Sequence, residues 1–374
     1  MATDYDAIVV GARCAGSPTA MLLARAGYRV LLVDRAEFPS DTLSTHVIHV
    51  PGVAALNRWA LLDRVVATGC PPMEGYSFDF GPVTISGTPR PRDGLTTGYA
   101  PRRTVLDKIL VDAAAEAGAE VREHFNVDEI LIEDGTVVGI RGHGYGGAPV
   151  VERARVVIGA DGRNSHVAKA VGAEEYNEKP RLQWSYYTYW SGLPVNGFEI
   201  VARPGRGWGA VQTNDGLTML VIGWPYAEAN AFKADVEANY LKTLELAPEF
   251  AERVRDAKRE EPFSGGAVPN FFRNPFGPGW ALVGDAGYNK VPITAQGLAT
   301  RSATRNSAPR RWTRRSPASA RSPTPCRGTG RRGTRPCCRY TSSPPRRQPC
   351  NHRRRRCSSC SAPSMATRMP RTRS

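Results

Sequence analysis

The chain has 374 residues, enough for two domains and a substantial core, and a formal net charge of +15. That charge is unevenly spread: residues 1–297 hold 29 Lys+Arg against 35 Asp+Glu, a net of −6, whereas residues 298–374 hold 21 Arg, no Lys and no acid, a net of +21. The basic balance therefore carries no information about the body of the chain. With only Cys14 and Cys70, no signal-peptide architecture and no apolar run of spanning length, that body excludes a disulfide-stapled secreted scaffold and a helical membrane protein. A reducing cytoplasm is the expected setting.

The first predicted element is a short buried strand, Asp6 to Val10, followed by Gly11-Ala12-Arg13-Cys14-Ala15-Gly16 and an apolar helix from Ser17 to Ala26. Strand, glycine turn, helix is the dinucleotide-binding order. Gly11 permits the tight turn, Gly16 lets helix and strand pack closely, and the helix N-terminus offers free N–H groups to a pyrophosphate. Arg13 stands where the pattern has its middle glycine, so its side chain must point outward if the backbone is to approach a phosphate. A second strand, Arg29 to Val33, ends in Asp34, 23 residues after Gly11 and suited to a ribose hydroxyl, with Arg35 beside it. This region alone does not separate NAD from FAD.

Further along, Ser44 to Pro51 carries His46 and His49, read either as loop histidines or as groups that approach a cofactor. Residues 76–96 are expected to add edge strands. Arg102 and Arg103 precede a helix from Val105 to Ala117, and Val156 to Ala160 is a second apolar strand running into Asp161-Gly162 and a helix from Val167 to Val171. Four strands follow: Trp184 to Trp190, Gly197 to Ala202, Gly207 to Thr213 and Leu217 to Trp224, with a hairpin signal at Asn214-Asp215-Gly216. Helices are expected at Ala227 to Leu246 and Pro248 to Lys258. Tyr186, Tyr187, Tyr189, Trp190, Trp208 and Trp224 read either as the lining of an aromatic-substrate pocket or as sheet packing. The last segment of this texture, Trp280 to Ala286, is a strand that delivers Gly284 and Asp285 at its C-terminal end, with Pro292, Gln296 and Gly297 beyond it.

Three separated motifs, Gly11 to Gly16 with Asp34, Asp161-Gly162, and Gly284-Asp285 with Pro292 and Gln296-Gly297, resemble in order and type those of the group A flavoprotein monooxygenases and the related aromatic hydroxylase and geranylgeranyl-reductase-like flavoproteins. The resemblance covers about residues 5–297. It implies an α/β fold: a Rossmann-like FAD/NAD(P)-binding domain with an inserted antiparallel β-sheet substrate domain. The boundaries expected are 1–75, 97–180 and 265–297 for the FAD-binding parts, and 76–96 and 181–264 for the substrate sheet. It further implies that Gly11, Arg13, Gly16, Asp34 and Arg35 sit on the ADP half of FAD. Asp161 and Gly162 belong to the motif linked to FAD and to the transient approach of NADH or NADPH. Gly284 and Asp285 would meet the ribityl and pyrophosphate region, and Pro292, Gln296 and Gly297 would lie beside the isoalloxazine. Arg103 aligns with the family's FAD-contacting arginine, leaving Arg102 as a surface charge. Tyr288 stands where many members have His, so no proton relay and no catalytic residue is assigned.

The implied activity is an NAD(P)H-dependent monooxygenase hydroxylating a small aromatic or polyketide-like molecule with O2 through a flavin hydroperoxide, with reduction of a prenyl double bond as the alternative. No His/Cys/carboxylate cluster in the body has metal-ligand spacing.

Residues 298–374 read differently. They contain 6 of the 8 cysteines, 10 of the 30 prolines, a single Leu and no Ile, Val or Phe, a composition that cannot build a core and predicts disorder. If high-GC codons are assigned to Ala299 to Arg311 and read from each third base, the result is DAFRDAELCAAA, an ordinary amphipathic helix; Cys357 to Pro370 treated alike again gives a helical sequence with acids and leucines restored. We therefore expect a frameshift near Leu298, which resequencing the DNA tests directly. Such a product would be inactive, its basic tail a polyanion binder. Arg353 to Arg356 lack a nucleic-acid fold around them and imply no specific nucleic-acid partner, and the Cys357/Cys360 pair, with Cys350 and His352 near, lacks the second pair a zinc site needs.

Overall fold

A computed structural model describes residues 4–298. The expectations for the arginine-rich segment and its reading frame fall on residues outside that range.

Five of the six strands of the central sheet run parallel, in the order Phe276–Gly277, Trp280–Leu282, Val157–Gly159, Ala7–Val10, Val30–Val33, Glu120–Arg122, with only Phe276–Gly277 antiparallel. Ala7–Val10 and Val30–Val33 are buried along their whole length, which is why they read as unbroken apolar runs rather than as alternating ones. The period of two still operates. Ala7, Val9, Val30 and Leu32 face one core with Met21 and Ala20 of the helix Gly16–Arg25 and Leu106 and Leu110 of the helix Arg103–Glu116. Ile8, Val10, Leu31 and Val33 face the other core, completed by the antiparallel sheet Asn126–Glu133, Thr136–His143 and Val150–Arg153. Each fully buried Val, Leu or Ile contributes roughly 1.5–3 kcal/mol of transfer free energy, so these paired layers dominate the stability of this half.

The second sheet has eight strands. Its path runs Lys258–Arg259, Gln183–Ser191, Leu217–Pro225, Arg206–Gln212, Phe198–Arg203, Tyr76–Asp79, Thr84–Gly87, with Ser264–Ala267 also paired to Gln183–Ser191. The hairpin at Asn214-Asp215-Gly216 has the left-handed residues such a turn needs, Asp215 at φ 63 and Gly216 at φ 68. One pair departs from the expected antiparallel pattern: Tyr76–Asp79 runs parallel to Phe198–Arg203, because it arrives from the other domain instead of from a neighbouring hairpin.

The expected helix from 227 to 246 is divided. Asp235 leaves the helical region at φ −151 and its side chain accepts from Ala238 N, so it caps a new helix, Val236–Leu244, after the short Ala229–Lys233. Those helices and Pro248–Arg255 cover one face of the sheet, where Trp190, Trp208, Trp224, Phe232, Tyr240 and Phe250 form a single core. Two of the polar atoms inside it are matched, Tyr240 Oη donating to Leu220 O at 2.6 Å and Trp224 Nε1 to Thr243 Oγ1 at 2.9 Å, whereas the indole N–H groups of Trp190 and Trp208 are buried without a partner among the described residues.

Candidate active site

Between the parallel sheet and the uncovered face of the eight-stranded sheet lies a cleft of about 690 Å³. Of the thirteen residues that the sequence motifs single out, eleven line it: Gly11, Arg13, Asp34, Arg35, Arg103, Asp161, Gly162, Asp285, Pro292, Gln296 and Gly297. Gly16 and Gly284 lie behind the wall. A Cβ on Gly16 would collide with the Gly11 carbonyl oxygen and stand 3.1 Å from Ala160 Cβ, so its bareness lets the helix seat against the sheet. Gly284, at φ 61, turns the chain that carries Asp285 into the cleft.

At the first end of the cleft, Gly11 adopts φ 103, and a side chain there would meet Ala160 O at 2.5 Å. The helix that follows has no side-chain cap and no acid in its first turn, and Cys14 and Ala15, which lead into it, line the cleft, so its positive end suits an anion there. Asp34 accepts from Ala12 N at 2.7 Å through Oδ2 and from Ala36 N at 2.8 Å through Oδ1. It fixes the glycine turn and the strand end while lining the cleft, a wider task than meeting a ribose.

Arg13 does point away from the turn, but into a network and not into water. Its guanidinium donates to Asp107 Oδ2 at 2.7 Å and to Ser40 O at 3.1 Å. Arg103, 3 % exposed, donates from Nε and Nη2 to the same carboxylate at 2.9–3.0 Å, and Cys14 Sγ donates to it at 3.1 Å. Asp107 is fully buried, so one carboxylate holds two arginines at the cleft wall. Arg102 is not the surface charge expected of it: its side chain is mostly buried, paired with Glu261 at 2.6 Å, with its guanidinium 4.4 Å from the centre of the Tyr189 ring.

In the middle of the cleft, Asp161 accepts from Ser165 Oγ at 2.6 Å, His166 N at 2.7 Å and Val167 N at 3.1 Å. Its carboxylate is spent on the start of the helix His166–Ala170, leaving Gly162, at φ 80 with open space where a Cβ would be, as the bare surface of this loop. Arg273 joins the second and third motif loops, donating to Arg163 O at 3.2 Å and Ala286 O at 3.0 Å, and Asn270 Oδ1 accepts from Val291 N at 2.6 Å. Neither residue carries a recognisable motif.

The two histidines of the 44–51 segment pack behind the far end of the cleft without lining it. His46 is fully buried at φ 58, its Nε2 hydrogen-bonded to Tyr189 Oη and its Nδ1 without a partner among the described residues. Burial, and then the charges of Arg103 and Arg102, push its pKa down to about 3, so the imidazole is neutral. His49 Nε2 lies 3.0 Å from Thr294 O and Nδ1 lies 2.7 Å from Tyr76 Oη. A carbonyl only accepts, so Nε2 carries the proton and Nδ1 accepts from the tyrosine. His49 thus connects the 292–297 loop to the second sheet.

The aromatic residues divide by strand alternation. Trp190, Trp208 and Trp224, with Tyr186 against them, belong to the sheet–helix core, and Tyr189 is buried in a separate cluster with Val47, Met73 and Phe198; of the six, Tyr187 alone lines the cleft. The rest of that wall is Ser185, Val221, Gly265, Gly266 and Val268. Burial pushes the Tyr187 phenol up to about 12, which keeps its proton in place at neutral pH.

The residues present fit a bound FAD. The glycine turn and uncapped helix accept a diphosphate, Gly162 and Gly266 leave open space, and Asn289, 4 % exposed on the cleft wall, holds a buried Nδ2 with no acceptor among the described residues. No cluster of three His, Cys, Asp or Glu side chains that could hold a metal ion occurs among the described residues. No helix among them is long and apolar enough to cross a membrane.

Comparison with known proteins agrees with this geometry. Residues 4–247 match the family model described as FAD binding domain. The chain is 30% identical over 314 residues to digeranylgeranylglycerophospholipid reductase 2 of Methanopyrus kandleri, covering 79% of this chain and 74% of that one. It is 27% identical over 335 residues to menaquinone reductase of Mycolicibacterium smegmatis, covering 80% and 74%. Among solved structures, the myxobacterial chondrochloren halogenase CndH superposes with a TM-score of 0.73 at 24% identity, over 80% of this chain and 72% of the other. The halogenase PltM in complex with phloroglucinol and FAD does so with a TM-score of 0.66 at 18% identity, over 81% and 68%. Glycine turn, twin arginine network, motif loops and family match converge: the chain belongs to the FAD-binding group A flavoprotein superfamily, a family of FAD-dependent oxidoreductases.

Proposed function

We propose that the cleft binds FAD along its length and that the chain is a flavin-dependent reductase of a carbon–carbon double bond in an apolar, prenyl-like molecule, supplied with electrons by NADH or NADPH. The Gly11–Gly16 turn and the helix N-terminus receive the pyrophosphate, Asp34 and Arg35 flank the adenosine ribose, and Asp107 presents Arg13 and Arg103 beside them. Asp161 shapes the loop whose Gly162 backbone approaches the cofactor. Gly284 and Asp285 face the ribityl chain, and Pro292, Gln296 and Gly297 flank the ring system. FAD, when bound, supplies two-electron exchange between nicotinamide and substrate.

The observation that carries the choice of reaction is the composition of the wall opposite the 292–297 loop. It offers glycine, serine, valine and one tyrosine instead of an aromatic cage, which suits an aliphatic chain. Tyr187, held protonated, donates a hydrogen bond to the polar end of such a substrate and does not serve as a base. Likeness to two reductases over about four fifths of this chain supports the same reading. Oxygen-dependent hydroxylation of a small aromatic or polyketide-like molecule is the second reading, favoured by the Tyr187 hydroxyl, which can equally bind a phenol.

Stopped assays separate the two. With NADPH or NADH and a prenyl alcohol, a reductase yields the saturated product under nitrogen and shows no substrate-dependent O2 uptake in air; such uptake in air with no saturated product in either assay overturns the reductase. The chain as printed is tested first by its visible absorbance after purification: bound flavin refutes an inactive product, and a colourless protein supports one.

A further inference from the structure

The sheet face that closes the cleft does not end at the cleft. Residues paired directly across strands project to the same side, and such a row runs Tyr187, Val221, Gly209, Ile200, Phe78, Ile85. Its first two members line the cleft, and its last two are 36% and 58% exposed on Tyr76–Asp79 and on the edge strand Thr84–Gly87 paired to it. At about 4.8 Å per strand, the five steps cover about 24 Å. The neighbouring row on the same face is Ser185, Gly223, Gly207, Ala202, small side chains that leave a shallow trough beside it. Gly209 is buried under the Phe198 ring, so at that step the part-exposed Gly223, Gly207 and Ala202 of the trough, and not the row itself, present the apolar surface. None of these positions is charged. The opposite face is fully used, with Val201, Trp208, Leu220 and Ile222 packed on the helices.

Exposed apolar side chains on an unpaired sheet edge are costly in water and favour association, and this edge adds Phe80 and Val83, 45% and 54% exposed. Their continuity with the cleft gives them a use. We propose that this track is an extended-chain subsite: the reacting end of the substrate sits in the cleft, and a hydrocarbon tail lies across the strands and leaves at the 76–87 hairpin. The proposal rests on the reading that the cleft is where the substrate reacts, and it names a long aliphatic chain, not a compact ring, as the ligand.

The test compares geranylgeraniol (20 carbons) with geraniol (10 carbons) as probes titrated into the FAD-loaded protein by calorimetry. The longer chain binds at least about tenfold tighter, equivalent to 1.4 kcal/mol. Phe78→Asp and Ile85→Asp remove most of that advantage while the geraniol affinity and FAD content stay unchanged; Val83→Asp, at an exposed turn position, is a third variant should either of the others lose FAD. No chain-length advantage in the parent protein, an advantage untouched by all three substitutions, or equal weakening of both ligands overturns the subsite. If the chain-length pattern holds but neither alcohol is reduced, the proposed reaction fails and the subsite stands.

Discussion

The two ends of the cleft are made by different means. At the nucleotide end, backbone does the work: Gly11 and Gly16 owe their place to a positive φ and to close approaches that a side chain would spoil, and Gly162 to its positive φ, each within a short turn that directly follows a strand. At the sheet end, the surface arises from register, with Phe78, Ile200, Val221 and Tyr187 aligned only once five strands have paired. The first kind of site is encoded locally and tolerates little change; the second is encoded globally and tolerates conservative swaps.

The largest effect expected from breaking this contrast is at Asp107, which belongs to neither kind. Asp107→Ala leaves Arg13 and Arg103 without their shared carboxylate, and removing one partner of a buried pair costs about 3–5 kcal/mol. Urea denaturation checks the stability, and flavin absorbance checks whether the pyrophosphate turn survives. Gly16→Ala follows, at about 1–3 kcal/mol, because the colliding Gly11 oxygen is backbone of a turn pinned between the strand end and the helix, Gly11 N donating to Val33 O at 2.8 Å. Ser185→Ala, on the sheet wall, changes FAD retention little by comparison; equal loss of FAD in both variants would erase the distinction between the ends.

How far the sequence reached follows the same division. Gly11, Asp34, Asp161 and Asp285 could be found because each is a short pattern at a strand end, and short patterns have local causes. The second sheet's strands were legible from their alternation and turns, but the facing of their aromatics was not: Trp208 and Trp224 pair with helices whose docking is long-range. Asp235 divided the expected helix through a cap that resembles any other surface Asp. Arg273 and Asp107 were invisible because each gains its role by joining a nearer partner to one more than 90 residues away, Asp107 holding Arg103 and Arg13 and Arg273 holding Ala286 and Arg163. His46 gave a faint signal, a histidine in a loop after a nucleotide-binding strand, with nothing to reveal its burial.

His46 allows a graded test of the sheet end. Its folded pKa of about 3 lies below the ordinary 6.5, and it faces Arg102, Arg103, Tyr187 and Tyr189. A histidine whose folded pKa is depressed binds a proton more readily when unfolded, so its contribution to stability is intact above pH 6.5 and is lost as pH falls from there toward 3. His46→Gln, which keeps a hydrogen-bonding side chain without titrating, should flatten the fall in urea midpoint between pH 6.5 and pH 5 relative to the parent. An unchanged slope would mean that His46 is already charged or open to solvent.

Tyr187→Phe is the mildest change and the most selective. The hydroxyl faces the cleft, and deleting it should cost stability no more than about 1.5 kcal/mol, the net worth of a single hydrogen bond. The phenol's backbone contact is at Ser44, outside the Gly11–Gly16, Gly162 and Asp285 segments, so FAD content should be retained. What should fall is turnover, because the group held protonated by burial is the only phenol among the residues of the sheet wall. If the ring alone matters, turnover with a prenyl alcohol stays near the parent's, and Tyr187 is then a wall and not a donor. If turnover falls while the affinity for geraniol holds, the hydroxyl acts on the reacting molecule after binding, which ties the globally encoded end of the cleft to the chemistry and leaves the locally encoded end to hold the cofactor.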